Sequence, residues 1–387
     1  MPTRGQVTLV LHYIKMSSRS KLEVLKSYLL AAYSPARAGQ WFLHSGIQSP
    51  EGGVARYYRA EIQENKPVST EITGYVASAL MVLFDTTQDE VYLDRARKIA
   101  DFLVDQAWNS GLAIFPYEHP SPSPVSDHLA YFFDCGIIIR GLISVWNVTR
   151  EQRLLDRAVE AAHGMLRDFR AADGYHPILQ LPDKTPLPRT PQWSRSIGCY
   201  QAKSALAWWE AGQATGDSVL SNAFLEFMEQ VLADYRDFLP GTPERLKVMD
   251  RLHAKSYLLE AFSPLLHRPE VVEAYRYTQQ RISHFLREIR PDFERSDVNA
   301  QLLRSRIYAA DVIPVNAAEA ADEAASLATF QAHHADPRID GGFYFGRRHG
   351  VIEPHVNPVS AAFAIQALEV WRAWQAGEEN PCHLPPV

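Results

Sequence analysis

The chain has 387 residues, 46% hydrophobic and 22% charged, which is the composition of an ordinary globular protein. A formal net charge of −6 argues against a general nucleic-acid binder, which needs a basic face. The three cysteines, Cys135, Cys199 and Cys382, form no CxxC and no His-flanked spacing, so neither a metal site nor a disulfide framework is expected, and no cofactor is implied.

Residues 1–18 read as a leader or a short strand. The apolar run 7–14 is broken by His12, no small-residue cleavage site follows, and Met16 is a second candidate start. No apolar run looks long enough to span a membrane, so a cytoplasmic protein without membrane insertion is expected. Helical periodicity then dominates. It predicts helices at 20–33, 70–83, 90–108, 131–146, 151–169, 196–213, 217–238, 251–262, 269–289, 297–313, 317–334 and 358–375. Strand signals are confined to short pieces beside loops: "GLAIFPY", "GYHPILQL" and "GGFYFG".

Two kinds of helix alternate. One is apolar nearly all round, as in "GYVASALMVLF", "CGIIIRGLISVW" and "NPVSAAFAIQALEVW"; the other is a charged amphipath, as in "DEVYLDRARKIADFLVDQAW". An all-round apolar helix must be buried, and a charged amphipath covers it. Inner helices begin near Glu71, Asp134, Ser196, His253, Asp297 and Asn357; an outer helix follows each of the first five, and 20–33 is left to cover the sixth. The turns between partners, "DTTQDE" and "ATGDS", carry suitable capping chemistry. This pattern predicts an all-α, single-domain (α/α)6 toroid over 1–387, with a tail at 376–387. An open solenoid would stack with short, regular loops. Here the connections into the inner helices are long and rich in Gly, Pro and aromatics, as in "AADGYHPILQLPDKTPLPRTPQWSR" and "ADPRIDGGFYFGRRHGVIEPHV", and long ordered loops build sites.

The hairpin "TGYVASALMVLFDTTQDEVYLDRARKIADFL", its echo "LAYFFDCGIIIRGLISVWNVTREQRLLDRAVEAAHGML", and the "GGFYFG" loop before "NPVSAAFAIQALEVW" resemble the six-hairpin glycosidase-like superfamily. That group holds glycoside hydrolases, polysaccharide lyases and the C-terminal domains of glucuronyl epimerases. The resemblance runs from about residue 20 to residue 375. It implies a toroid and a carbohydrate ligand; its motifs are architectural, and no family's catalytic set is carried over.

In such a toroid the starts of the inner helices surround one mouth, where helix N-termini favour anionic groups. In "STEITGYV", Ser69 or Thr70 is a candidate cap, and Glu71 and Tyr75 lie near the mouth; Glu71 is either a site acid or a first-turn dipole partner. In "AYFFDCGIII", Asp134 is either an N-cap or a site acid, because a lone carboxylate in such a run is costly to bury. "QWSRSIGCYQAKS" offers Trp193 as a stacking ring, Arg195 as a fork for a sugar carboxylate, and Tyr200 and Lys203 as polar contacts. "RLHAKSYLLEAF" places His253, Tyr257 and Glu260 on one face, with Lys255 nearby. Asn299 and Arg304 follow Asp297 in a helix that should be buried; His355 stands beside Asn357, a natural N-cap before Pro358; Tyr344 heads the loop aromatics.

Two classes of function are consistent with these groups. A glycoside hydrolase needs two carboxylates across the bond, here first Asp134 and Glu71, with Asp297 and Glu260 as further candidates. A uronate lyase or C5-epimerase needs an acid and a base with a neutralising cation, a role suited to His253 and Tyr257 with Arg195 and Lys255. The second class is a non-catalytic toroid that holds a glycan or a protein. The Cys and His pattern of zinc-dependent toroids and the DxDD of terpene cyclases are absent. Composition and periodicity do not specify an oligomeric state.

Overall fold

The structure, a computed structural model, describes residues 33–119, 128–236 and 245–387. The leader and almost all of the expected helix 20–33 lie outside these residues. Twelve α-helices are present among the described residues: α1 (Pro35–His44), α2 (Thr70–Thr87), α3 (Glu90–Asp101), α4 (Phe132–Thr149), α5 (Gln152–Asp168), α6 (Gln201–Thr215), α7 (Ser218–Asp234), α8 (Arg245–Phe262), α9 (Pro269–Ile289), α10 (Ser296–Tyr308), α11 (Ala317–Ala328) and α12 (Pro358–Ala376). A π-helical turn, Phe102–Ala107, continues α3.

The even-numbered helices form the inner ring. Each packs on the next, from α2 through α4, α6, α8 and α10 to α12, and α12 closes back onto α2. Helices α3, α5, α7, α9 and α11 lie outside, each antiparallel to the inner helix before it. Helix α1, which has no counterpart in the expected pattern, leans on α12. Its start is tied down where the Tyr33 hydroxyl donates to Glu369 at 3.2 Å and Gln331 brackets the Ser34 backbone. The fold is thus the all-α (α/α)6 toroid expected from the alternating helices.

Local chemistry explains the repeat. Between α2 and α3, Gln88 takes a left-handed conformation and Asp89 then caps α3 by accepting from Val91 N–H at 3.1 Å. Between α6 and α7, Gly216 turns left-handed at φ +76° and Asp217 accepts from Val219 N–H at 2.8 Å. Glycine also sets how closely the inner helices approach. A methyl at Gly136 would lie 2.5 Å from the Ser204 carbonyl oxygen on α6, and one at Gly141 would lie 2.6 Å from the Gly74 carbonyl oxygen on α2.

Helix α4 corrects one expectation. At 18 residues with mean hydropathy 1.3 it is long and apolar enough to cross a membrane. Its apolar surface is instead spent on α2, α5 and α6. Three inner helices also have bounds other than those expected. Helix α6 begins at Gln201 after a 3-10 turn at Trp193–Arg195, because Ser196 is extended and the chain turns again at Cys199–Tyr200 before the helix starts. Helix α10 ends at Tyr308 rather than 313. Helix α8 begins at Arg245, so His253 and Tyr257 lie about two and three turns inside it; residues 245–250 contain no Gly or Pro to interrupt the helix.

Short strand pairs decorate the end where the inner helices begin. Residues Leu129–Tyr131 pair with Ile178–Gln180, and Phe293–Arg295 pairs with Gly346–Arg348. Of the expected strands, "GYHPILQL" contributes two, whereas "GLAIFPY" supplies only an isolated bridge between Asn109 and Ile114.

Candidate active site

The loops fix the helix starts that they precede. Ser69 caps α2 through Ile72 N–H, and Thr70 Oγ1 donates to the Pro116 carbonyl at 2.7 Å, which docks the 116–118 segment on the first turn. Tyr131, in extended conformation, is the N-cap of α4, so Asp134 is not the cap; it sits in the first turn as the third helical residue. In the same way Arg295, not Asp297, caps α10. Asn357 does cap α12, accepting from Val359 N–H at 2.8 Å.

Glu71 and Asp134 come together at this mouth, where the Glu71 charge bears on Asp134. Burial pushes the Glu71 carboxyl up to about 7, opposed by Arg56 and then Lys203. Burial and then the Glu71 charge push Asp134 well above the carboxylate range, again against Arg56. Asp134 is 4% exposed, and its Oδ2 has no hydrogen-bond partner among the described residues. A buried carboxyl in this condition takes a proton. The two titrate as a pair that retains a proton at neutral pH.

Cations and rings surround the pair. Arg56 pairs with Glu118 and lies 4.4 Å from the centre of the Tyr117 ring. Tyr117 packs on Tyr131 with ring centres 4.8 Å apart, and Arg195 hydrogen-bonds the Tyr131 hydroxyl. Next around the mouth, Trp193 meets Tyr200 edge-on at 5.1 Å and His253 at 6.4 Å. Phe133 lies between Tyr200, at 5.9 Å, and Tyr257, at 4.8 Å. The Tyr200 hydroxyl itself is spent on the Ser194 and Ser196 carbonyls.

His253 is buried. Burial pulls its imidazole down to about 4, despite the nearby Asp297 charge. Nδ1 lies 2.8 Å from Gln301 Oε1 and 3.5 Å from Asp297 Oδ2, while Nε2 lies 2.7 Å from the Tyr257 hydroxyl. Arg295 clamps Asp297 through both oxygens, at 3.0 and 2.6 Å. Burial would raise Asp297; Arg295 and then His253 outweigh it and hold the carboxylate ionised.

Below this lies a buried polar floor. Glu260 is bonded by Arg304, by Gln301 Nε2 at 3.1 Å and by Lys203 at 2.5 Å. Burial opposes its charge, but Arg304 and then Lys203 bring it down to about 2. Burial pulls the Lys203 ammonium well below the lysine range, opposed first by Glu260. The permanently charged Arg304 is therefore the partner on which Glu260 depends. Lys203 Nζ also lies 4.9, 4.9 and 4.4 Å from the ring centres of Tyr75, Tyr257 and Phe363.

Glu71, Asp134, His253, Tyr257, Arg195, Trp193 and Tyr200 thus share one mouth, with Arg304 in the floor beneath. His355 is on the rim, stacked on Phe345 at 5.1 Å, and Phe345 in turn lies under Arg295. Tyr344 is half-buried in the adjoining loop, where its backbone carbonyl accepts from Ser296. Lys255 and Asn299 face elsewhere. Lys255 reaches the Tyr235 carbonyl beyond α7, two positions round the helix from His253, and Asn299 bridges Glu294 and Arg290 behind α10. Sequence reasoning missed Arg56, Tyr131, Phe133 and Phe363. Arg56 lies in a loop without periodicity, where only the dense "ARYYR" marked it. No group of three or more metal-ligating side chains occurs among the described residues.

The helices close an (α/α)6 toroid with this mouth at one end. No family model matches the chain, and no curated protein matches it. Among solved structures it is similar to the cellobiose 2-epimerase from Spirochaeta thermophila DSM 6192, with 14% identity, a TM-score of 0.68, and coverage of 91% of this chain and 98% of that one. It is also similar to the unsaturated glucuronyl hydrolase from Bacillus sp. GL1, at 13% identity, TM-score 0.63, and coverage of 89% and 97%. A family 76 glycoside hydrolase from a bovine Bacteroides thetaiotaomicron strain matches at 13% identity and TM-score 0.62 over 94% of this chain and 79% of its own. At these identities the likeness is one of fold.

Proposed function

We propose that the protein is a carbohydrate-active enzyme, a glycoside hydrolase acting on an oligo- or polysaccharide that carries uronic acid. The observation that carries this reading is the Glu71–Asp134 pair, two carboxyls that burial keeps partly protonated. Glycoside cleavage needs one protonated carboxyl to donate to the departing oxygen and one ionised carboxylate to assist attack. Asp134, the more strongly raised of the two and unpartnered at Oδ2, is the acid. Glu71, which titrates near 7, is the carboxylate. Trp193 and Tyr117 offer ring faces for the sugar, and Arg56 and Arg195 offer cations for its carboxylate. The fold shared with an unsaturated glucuronyl hydrolase supports including unsaturated uronides among the substrates tried.

The test is a screen of purified protein against neutral, uronic and unsaturated-uronic glycans, reading reducing ends and unsaturated-uronate absorbance together. New reducing ends, with absorbance unchanged or lost, support hydrolysis. New absorbance indicates a lyase and overturns the reading. The second reading, a C5-epimerase, rests on the neutral His253 bonded to Tyr257. Deuterium entering at C5 without new reducing ends would establish it instead. Silence in all three readouts favours a glycan-holding toroid.

A further inference from the structure

The end of the ring opposite the mouth is filled by residues 384–387, Leu-Pro-Pro-Val. Backbone oxygens of four consecutive residues of this segment accept hydrogen bonds from four different inner helices. Tyr308 of α10 donates to the Leu384 carbonyl. Gln366 Nε2 of α12 donates to Pro385 at 2.9 Å, Arg140 Nη2 of α4 to Pro386 at 2.6 Å, and Lys203 Nζ of α6 to Val387 at 2.6 Å. In return, the Val387 N–H donates to Gln366 Oε1 at 2.8 Å. Arg140, Lys203 and Gln366 are all buried, at 5%, 0% and 1% exposure.

Closing a ring needs only apolar bulk. Glu210 takes Arg140 Nε at 2.9 Å, Glu260 pairs with Lys203, and Tyr308 accepts from Gln366 at 3.2 Å, so the charges are met within the ring; the N–H groups these side chains still turn to the segment suit a ligand rich in carbonyls and poor in N–H groups. Consecutive prolines have that chemistry: each offers a carbonyl and no N–H, on a backbone already extended. Cavities of about 580 and 530 Å³ flank the segment, the first lined by Met81, Ile143, Trp146 and Trp209 as well as Pro385 and Pro386. We infer that the far end of the ring is a binding site for an extended, proline-containing peptide, occupied here by the chain's own residues 384–387. The ligand is read through its backbone carbonyls, and the site is separate from the mouth. Lys203 links the segment to the buried floor beneath the mouth, because it donates to Val387 and pairs with Glu260.

The test uses the full chain with a protease recognition sequence placed at the exposed turn 377–379, cut after folding. The severed segment is expected to co-elute with the ring, to leave on dilution, and to be replaced by a labelled synthetic peptide of residues 380–387. Replacing both prolines of that peptide by Ala, or Arg140 by Met in the ring, should weaken binding by about tenfold or more, the worth of one good buried hydrogen bond. Immediate loss of the severed segment with an unchanged thermal midpoint overturns the inference. Equal affinity of the Ala-substituted peptide, or of the Arg140→Met ring, overturns it too. If cutting unfolds the chain, hydrogen exchange on the uncut protein decides. The Val387 amide should exchange at least about a hundredfold more slowly than the exposed amides at 379–380, and equal rates overturn the inference.

Discussion

The Tyr257 hydroxyl lies 2.7 Å from Nε2 of His253, one helical turn back, and it is the donor in that bond. The assignment follows from the other side of the ring. Gln301 gives its amide N–H to Glu260, so its oxygen faces His253, and Nδ1 must carry the hydrogen that meets it at 2.8 Å. Nε2 is then the acceptor. Nitrogen-resolved NMR of the imidazole should show a neutral, Nδ1-protonated ring down to about pH 5, charging only near 4. A titration between pH 6 and 7 would contradict this arrangement.

The same burial makes stability depend on pH. Unfolded, His253 titrates at 6.5; folded, it titrates at about 4. Between these values the unfolded chain binds more protons, so stability present above pH 6.5 is lost as pH falls towards 4. The loss is on the order of 3 kcal/mol at the acid end. Glu260, brought from 4.5 to about 2, adds a further loss at lower pH. Denaturant unfolding of the wild type and His253→Gln at pH 7 and 4.5 should show a flatter profile in the variant. Parallel profiles would exclude His253 as the source.

The carboxylate pair has the opposite sign. Glu71 is raised from 4.5 to about 7, so the stability it contributes is full below 4.5 and is lost as pH rises through 7. Glu71→Gln should therefore gain thermal midpoint relative to wild type at pH 8 and not at pH 4. Both Glu71→Gln and Asp134→Asn should lower turnover of a substrate found in the glycan screen by about a thousandfold while leaving the fold intact. Retention of more than about a tenth of the activity in either variant removes that residue from the chemistry.

Two glycines separate packing from backbone strain. Gly136→Ala places a methyl 2.5 Å from the Ser204 carbonyl oxygen, so α4 and α6 must move apart, at a cost of roughly 1–3 kcal/mol. Gly216→Ala meets open space but keeps φ +76°, which costs about 1 kcal/mol. Urea midpoints compare the two directly. If the change at 216 costs as much as that at 136, close helix approach is not what fixes the ring.

The ring itself was legible because its signal is periodic. Helices without a polar face alternate with charged amphipaths, and α9 matches its expected bounds of Pro269 and Ile289. The convergence of Glu71, Asp134 and His253 followed from that alternation. What was not legible depends on particular surroundings. Lys255 is only two residues from His253, but a helix turns about 100° per residue, so it projects to the opposite side. Asn299 and Asp297 look equivalent in sequence, and only the position of α9 decides that Asn299 meets Arg290. Arg56 was missed because loop residues have no period to read.

The seam between α2 and α12 has a kinetic meaning. It joins the first inner helix of the chain to the last, so the loop it closes takes in every hairpin between them. Contacts so distant in sequence are slow to form, because the intervening chain must be ordered before they stabilise anything. Until then the growing arc shows an uncovered apolar flank at each end, and each flank fits the other flank of a second molecule equally well. Closure within one chain does not depend on protein concentration, whereas joining two chains does. Refolding yield should therefore fall as the protein is concentrated, and the two halves of the seam are where the chains would join.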